Sequence, residues 1–301
     1  MAKNKEREII ELITGKNNRF VGDDSALWAE KSLVVATDHV CEGVHFDFSF
    51  MPPDAVGWRL MAANASDIIS MGSLPNRFLF NIAIPKTGFE VAKGIIEGVK
   101  KFAGKYDIEL MGGDTTRGES FMACVTMFGE MAKKPLLRSG AKVGDSLYLA
   151  ASTGLSHCGF LHLKNSSSGF EKSKKQFLYP DPFKFLPENF DQINGAIDIS
   201  DSLISELNLI AEMSGVSIEV DYDALPVDSE VKKSAEMFNI PLEKLIFGSG
   251  EEFFLLFTSD KEVKKGIKIG KVCEKKGENV KIFSKKHDFN FSGDPIFNHF
   301  C

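Results

Sequence analysis

The segment Ser32–Asp38, SLVVATD, decides the fold class. Its β-branched apolar run reads as a short strand over Ser32–Thr37, and the carboxylate of Asp38 follows directly. The arrangement recurs along the chain. Asp114 follows ELMGG, Asp198 follows GAI, Asp201 lies three residues further on, and Asp23 and Asp24 sit in a Val-Gly-Asp-Asp turn. A carboxylate just past a buried strand is held rigidly at a sheet edge, where ligand sites of α/β proteins lie. One such aspartate reads more readily as a turn or helix-capping residue. Several in one chain point to a shared site.

Outward from this strand, helices and strands alternate. A helix is expected over Asp54–Met71, with Pro52 and Pro53 in front and Gly72 as its stop. A strand over Arg77–Ile84 and a helix over Phe89–Tyr106 follow. Strands at Glu109–Met111 and Phe121–Phe128 flank a glycine-rich turn. The Lys-, Gly- and Pro-rich seam Lys133–Gly144 divides a domain over 1–136 from one over 137–301. The second half predicts strands at Ser146–Ala151, Gly195–Ile199, Val216–Val220, Phe253–Thr258, Lys268–Val272 and Val280–Phe283. Helices are expected from about Ser156 and over Leu203–Ser214, and Lys164–Lys175 (KNSSSGFEKSKK) reads as a mobile surface loop. The fold class is therefore α/β in two domains.

The helix over Asp54–Met71 carries a second clue. Val56, Leu60, Asn64, Asp67 and Met71 share one mostly apolar face, so Asn64 and Asp67 point inward and need partners. Six aspartates in one cleft repel unless cations neutralise them. Their hard oxygens, with no His or Cys ligands alongside, select Mg²⁺, Mn²⁺ or Ca²⁺ over zinc. Mg²⁺ is commonly shared between a few carboxylates and substrate phosphates, which makes a nucleotide the natural co-ligand. No GxxxxGK[ST] or strand-GxGxxG-helix fingerprint is present. The phosphate-loop candidate is Gly112–Gly118 (GGDTTRG), with Arg117 and Arg138 as phosphate partners.

A formal net charge of -6 argues against nucleic-acid binding. Five scattered cysteines with no CxxC pair predict reduced thiols and a cytoplasmic address. No apolar run approaches the roughly 18 residues of a membrane span.

The motifs VGDDSA (Val21–Ala26), TDHVCEGVHF (Thr37–Phe46), NASDIISMG (Asn64–Gly72), MGGDTTRG (Met111–Gly118), LRSGAKVGD (Leu137–Asp145), IDISDSL (Ile197–Leu203) and GSGEEFFLLFT (Gly248–Thr258) occur in that order, and the chain closes on FNHF (Phe297–Phe300). This series resembles the thiamine-monophosphate kinase family, of the superfamily that also holds aminoimidazole ribonucleotide synthetase. The resemblance implies an N-terminal mixed sheet that pairs across a homodimer into a barrel, and a C-terminal α/β domain that completes the active site. It implies ATP-dependent phosphorylation of thiamine monophosphate to thiamine diphosphate with several Mg²⁺ ions. By motif, Asp24, Thr37, Asp38, Asp67, Asp114, Asp198 and Asp201 match metal-holding positions. Gly113, Asp114, Arg138 and Ser200 match ATP-contacting positions, and His45, Glu251 and Phe297 match positions near the thiamine substrate. Asp38, Asp114 and Arg138 are the expected catalytic residues.

The chain departs from the family pattern in three places. Ser202 replaces the glycine of ISDGL, Ser249 and Glu252-Phe253 alter SGGEDYELLFT, and Phe20 stands where a glycine precedes GDD. A phosphate-monoester acceptor has a second pKa of about 6, so the nucleophile is already ionised near neutrality and needs no general base. The alternatives are a hydrogenase-maturation dehydratase, which ends in a reactive cysteine as this chain ends in Cys301, and a non-catalytic Mg-nucleotide-binding regulator.

Overall fold

The computed structural model describes residues 9, 12–14, 20, 22–131 and 134–286. The N-terminal half builds a five-stranded sheet from β1 (Ala26–Trp28), β2 (Leu33–Cys41), β3 (Leu74–Ile84), β4 (Glu109–Arg117) and β5 (Met122–Glu130), in the order β1-β2-β5-β3-β4. Strands β3 and β4 run parallel, joined by helix α2 (Phe89–Tyr106), and the other pairings are antiparallel. This is the mixed sheet that the alternating pattern leads to.

Helix α1 (Pro53–Ser70) and α2 cover one face of this sheet. Leu60, Met61, Ile68, Ile95 and Phe102 are fully buried between the layers. Each such side chain contributes about 1.5–3 kcal/mol of burial. The two helices touch backbone to backbone. A Cβ on Gly98 would lie 1.9 Å from the Asp54 carbonyl oxygen, and one on Gly57 would lie 2.0 Å from that of Ile95.

The C-terminal half builds a six-stranded sheet from β6 (Ser146–Leu149), β7 (Gly195–Asp198), β8 (Ser217–Asp221), β9 (Leu255–Ser259), β10 (Ile267–Cys273) and β11 (Val280–Phe283), in the order β11-β8-β10-β6-β9-β7. Its helices are α3 (Leu155–Lys164), α4 (Glu171–Leu178), α5 (Leu203–Ser214), α6 (Ser229–Phe238) and α7 (Leu242–Gly248). The halves interleave: Phe177 of α4 is buried in the N-terminal core, and Ile69 of α1 in the C-terminal one.

Three expectations are corrected. First, β2 runs on to Cys41, so Asp38 lies inside a strand and not beyond it. Second, Gly112–Arg117 is no turn: it is the second half of β4, a sheet-edge strand whose nine residues are all exposed. A Cβ on Gly113 would lie 1.7 Å from the Phe80 carbonyl oxygen of β3, so close strand pairing demands glycine there. Third, the polar run Lys164–Lys175 is partly helical, because α4 starts at Glu171. Ser173 is buried and donates from both its N–H (2.9 Å) and its Oγ (2.8 Å) to Glu230 Oε2 on α6. That contact is tertiary and leaves no trace in local composition.

Candidate active site

Helix α1 organises the site. The backbone N–H of Asp38 donates to Asn64 Oδ1 at 3.1 Å, while Asn64 Nδ2 donates to the Leu60 carbonyl at 2.9 Å. Asn64 is wholly buried yet has both partners that burial demands. Asp67 lies close enough to Asp38, Asp198 and Asp24 for their charges to act on it. Ser66 Oγ donates to Asp198 Oδ2 at 2.8 Å, and Ser70, whose Oγ donates to the Asp67 carbonyl at 2.7 Å, lies beside Asp24. Positions 66, 67 and 70 lie on one helical face, so a single element addresses carboxylates from three other segments.

The result is a group of four interacting carboxylates: Asp24, Asp38, Asp67 and Asp198. Burial holds Asp67 and Asp198 well above the ordinary carboxylate range, and the neighbouring carboxylates push them further. Burial also raises Asp24 and Asp38. Arg138 opposes this at Asp24: its Nε donates to Asp24 Oδ1 at 2.8 Å, and Nη2 bonds the same oxygen. Its backbone N–H donates to Asp23 Oδ1 at 2.7 Å, docking the Asp23–Asp24 turn on the C-terminal half. Carboxylates gathered against their own repulsion, with hard oxygens and one guanidinium beside them, fit divalent oxygen-seeking cations. Among the described residues, no three His, Cys, Asp or Glu side chains converge into a ready-made metal-binding group.

Beside this cluster lies a cavity of about 390 Å³ lined by His45, Phe50, Phe160, Phe177, Ser200, Asp201 and Glu251, among others. Phe50 and Phe160 meet edge to face at 5.7 Å between centroids. His45 Nδ1 accepts the Cys41 N–H at 3.1 Å, so its ring proton sits on Nε2. His157 in the same wall is pushed down to about 4 by burial and by Lys244, and so is neutral at physiological pH. The Glu251 N–H donates to the Ser200 carbonyl at 2.6 Å. A Cβ on Gly250 would lie 2.2 Å from the Asp201 carbonyl oxygen, so only glycine lets the two loops meet this closely.

The structure thus brings together Asp24, Asp38, Asp67, Asp198 and Arg138, and next to them Ser200, Asp201, His45 and Glu251. It does not bring Thr37 or Asp114 into the carboxylate group. Side chains alternate along a strand, and Thr37 Oγ1 lies on the sheet face away from the helices, 3.1 Å from Thr126 Oγ1. Asp114 pairs with Asn81, whose partner on β5 is Cys124, on that same far face. Gly113 and Asp38 occupy equivalent levels three strands apart, roughly 14 Å along the sheet. Phe297 lies outside the described residues.

Three residues of the site are not singled out by the sequence patterns: Ser66, Arg59 and Glu206. Glu206 is buried, and its Oε1 accepts the N–H groups of Asp201 (3.0 Å) and Ser202 (3.4 Å). Burial, then Asp201 and Asp198, hold its carboxyl well above the ordinary range. Glu206 stands four residues after the Ser202 cap, one beyond the Glu position of a capping box, so that signature does not mark it. The substitutions at Ser202 and Ser249 are accommodated locally. Ser202 caps α5 by accepting the Ser205 N–H at 3.2 Å, in an extended conformation. Ser249 Oγ donates to Glu252 Oε1 at 2.7 Å, and that oxygen also accepts the Gly154 N–H at 2.6 Å.

Two halves of mixed α/β structure with carboxylates at their junction define a recognisable class. The family described as AIR synthase related protein, N-terminal domain, matches residues 22–131, and its C-terminal domain counterpart matches residues 142–282. Thiamine-monophosphate kinase of Aquifex aeolicus (strain VF5) is 33% identical over 283 residues, spanning 89% of this chain and 90% of that protein. Thiamine-monophosphate kinase of Bacillus subtilis (strain 168) is 34% identical over 256 residues, spanning 80% and 78%. A solved structure described as AaThiL complexed with AMPPCP and TMP has a TM-score of 0.84 at 29% identity, covering 93% of each chain. This chain belongs to the thiamine-monophosphate kinase family of AIR synthase related proteins.

Proposed function

We propose that this chain transfers a phosphoryl group from ATP to thiamine monophosphate, giving thiamine diphosphate. The observation that carries the reading is the placement of the Asp24, Asp38, Asp67 and Asp198 group beside an aromatic cavity that also holds His45 and Glu251. The aromatic walls and the carboxylates Asp47, Asp201 and Glu251 suit a cationic heteroaromatic ring, which thiamine monophosphate carries.

Asp24, Asp38, Asp67 and Asp198 would hold Mg²⁺, with Asp201 at the cavity rim. Bound Mg²⁺ supplies charge neutralisation for the phosphates of donor and acceptor. The chain's own groups do the rest. Arg138 offers a guanidinium at the edge of the cluster, and His45 offers a neutral Nε2–H donor toward an anionic oxygen. Ser200 and the 250–251 backbone fix the shared wall. The acceptor phosphate is already ionised, so positioning dominates over proton transfer. For Gly113, Asp114 and Phe297 the proposed nucleotide and substrate roles rest on the family resemblance.

A homodimer covering the exposed edge of β4, and a cytoplasmic setting, belong to the same reading. Among the described residues no helix is long and apolar enough to cross a membrane. An ADP-release assay with Mg²⁺ tests the function against thiamine, thiamine monophosphate, an aminoimidazole ribonucleotide precursor and selenide. Turnover with thiamine monophosphate alone is expected, and none with it would sink the assignment.

A further inference from the structure

Arg59 is a buried cation that phosphoryl transfer leaves without a task. It sits on α1, 5% exposed, and is absent from the cavity lining. Its Nη2 lies 2.6 Å from Glu251 Oε2, and its Nη1 donates to the Phe177 carbonyl. Its guanidinium carbon stands 4.3 Å from the centroid of the Phe177 ring. A guanidinium taken out of water demands partners of this kind, and the planar fork suits a carboxylate, a carbonyl and a ring face together.

Both partners line the cavity. Phe177 comes from α4, and Glu251 from the loop before β9. Two separate walls therefore meet on one side chain of the N-terminal half. Glu251 also holds a left-handed backbone (φ 52°), a conformation that costs a non-glycine residue energy and persists where the surroundings over-determine it. The Arg59 ion pair is one of those determinants, and the Ser200 carbonyl is another. The helix that carries Arg59 also carries Asn64, Ser66 and Asp67, which address the carboxylate group.

We infer that Arg59 is a positioning residue for the acceptor: it fixes the Glu251 carboxylate and the Phe177 ring in the cavity wall, and sets them in register with the carboxylates through α1. This rests on the reading of the cavity as the thiamine monophosphate site. Arg59 acts on acceptor binding, through Glu251, and not on the nucleotide.

Steady-state kinetics on Arg59→Met, Arg59→Lys, Glu251→Gln and the Arg59→Met/Glu251→Gln double variant test it, each substrate being varied in turn. Arg59→Met is expected to raise KM for thiamine monophosphate by about tenfold or more, with KM for ATP changed by less than about twofold. Arg59→Lys keeps the charge but loses the fork, and should fall between wild type and Arg59→Met. In the Glu251→Gln background, Arg59→Met should add less than about twofold, because the two residues act as a unit. An equal rise in both KM values, or a penalty that persists undiminished in the Glu251→Gln background, would overturn the inference. If Arg59→Met does not fold, Arg59→Lys decides: wild-type KM for thiamine monophosphate in that variant overturns it. Absence of turnover in the wild-type protein overturns the functional reading and this inference with it, whereas wild-type turnover with unaffected Arg59 variants overturns this inference alone.

Discussion

Ser66 and Asp198, 132 residues apart in the chain, are joined by a 2.8 Å hydrogen bond from Oγ to Oδ2, and both are buried. It is the contact through which α1 of the N-terminal half holds the end of β7 in the C-terminal half. The hydroxyl favours the charged form of Asp198 against the larger effect of burial. Ser66→Ala should therefore raise the Mg²⁺ concentration for half-maximal rate by about tenfold, the size of effect expected from a group that orients a ligand. An unchanged Mg²⁺ titration curve would count against Asp198 as a ligand.

Asp67 is buried among like charges, which makes it costly without a cation. Asp67→Asn should stabilise the protein in EDTA by about 1 kcal/mol while removing most of the rise in Tm on adding Mg²⁺. Turnover should fall by about 100-fold or more in Asp67→Asn and in Asp38→Asn. Thermal melts with and without Mg²⁺, beside an ADP-release assay, read all three. An Asp67→Asn variant that still gains Tm from Mg²⁺ like the wild type would refute the proposed ligand set.

Glu252 is raised to about 7 by burial, against the Ser249, Gly154 and Ser156 donors that lower it. Unfolded, it titrates near 4.5. Between these values the folded protein keeps a proton that the unfolded chain has released. Stability is thus fully present below about pH 4.5 and declines as pH rises through 7, by about 3 kcal/mol at most. Glu252→Gln should flatten this slope in melts run without Mg²⁺ from pH 5 to 8. Parallel slopes for wild type and variant would exclude Glu252 as the source.

Ser202 caps α5 where the family pattern has glycine. Ser202→Ala should cost about 1 kcal/mol of stability and Ser202→Gly only a few tenths, since glycine tolerates a cap position. Urea denaturation distinguishes the two, and an equal loss in both would remove the capping account.

Gly98 lets α2 rest on the backbone of α1. A methyl group there must separate the helices, so Gly98→Ala should destabilise by about 2 kcal/mol despite its better helix propensity. A stabilised Gly98→Ala protein would show that the helices slide apart freely.

Much of the fold is legible in the chain. The helix over Phe89–Tyr106 and the strand over Val280–Phe283 coincide with the observed bounds, and the helix expected over Asp54–Met71 is displaced by one residue at each end. These segments carry their own periodicity, caps or β-branched runs. Asn64 and Asp67 stand out for the same reason, as polar residues on an apolar helical face. Helices α6 and α7 and the start of α4 inside a polar run lie outside the expected elements, and the α4 segment is stabilised by tertiary contacts such as Ser173 to Glu230.

By itself, the sequence determined the alternation of helices and strands, the hard-oxygen character of the site and the family resemblance, since these follow from local periodicity, residue chemistry and motif order. Tertiary structure alone decided which aspartates meet. Strand alternation and sheet order place Asp38 with Asp67 and leave Thr37 and Asp114 on the other face, a distinction of direction and distance that spacing along the chain does not contain. It also decided that Arg59 reaches Glu251, because that pairing depends on how two halves of the chain pack.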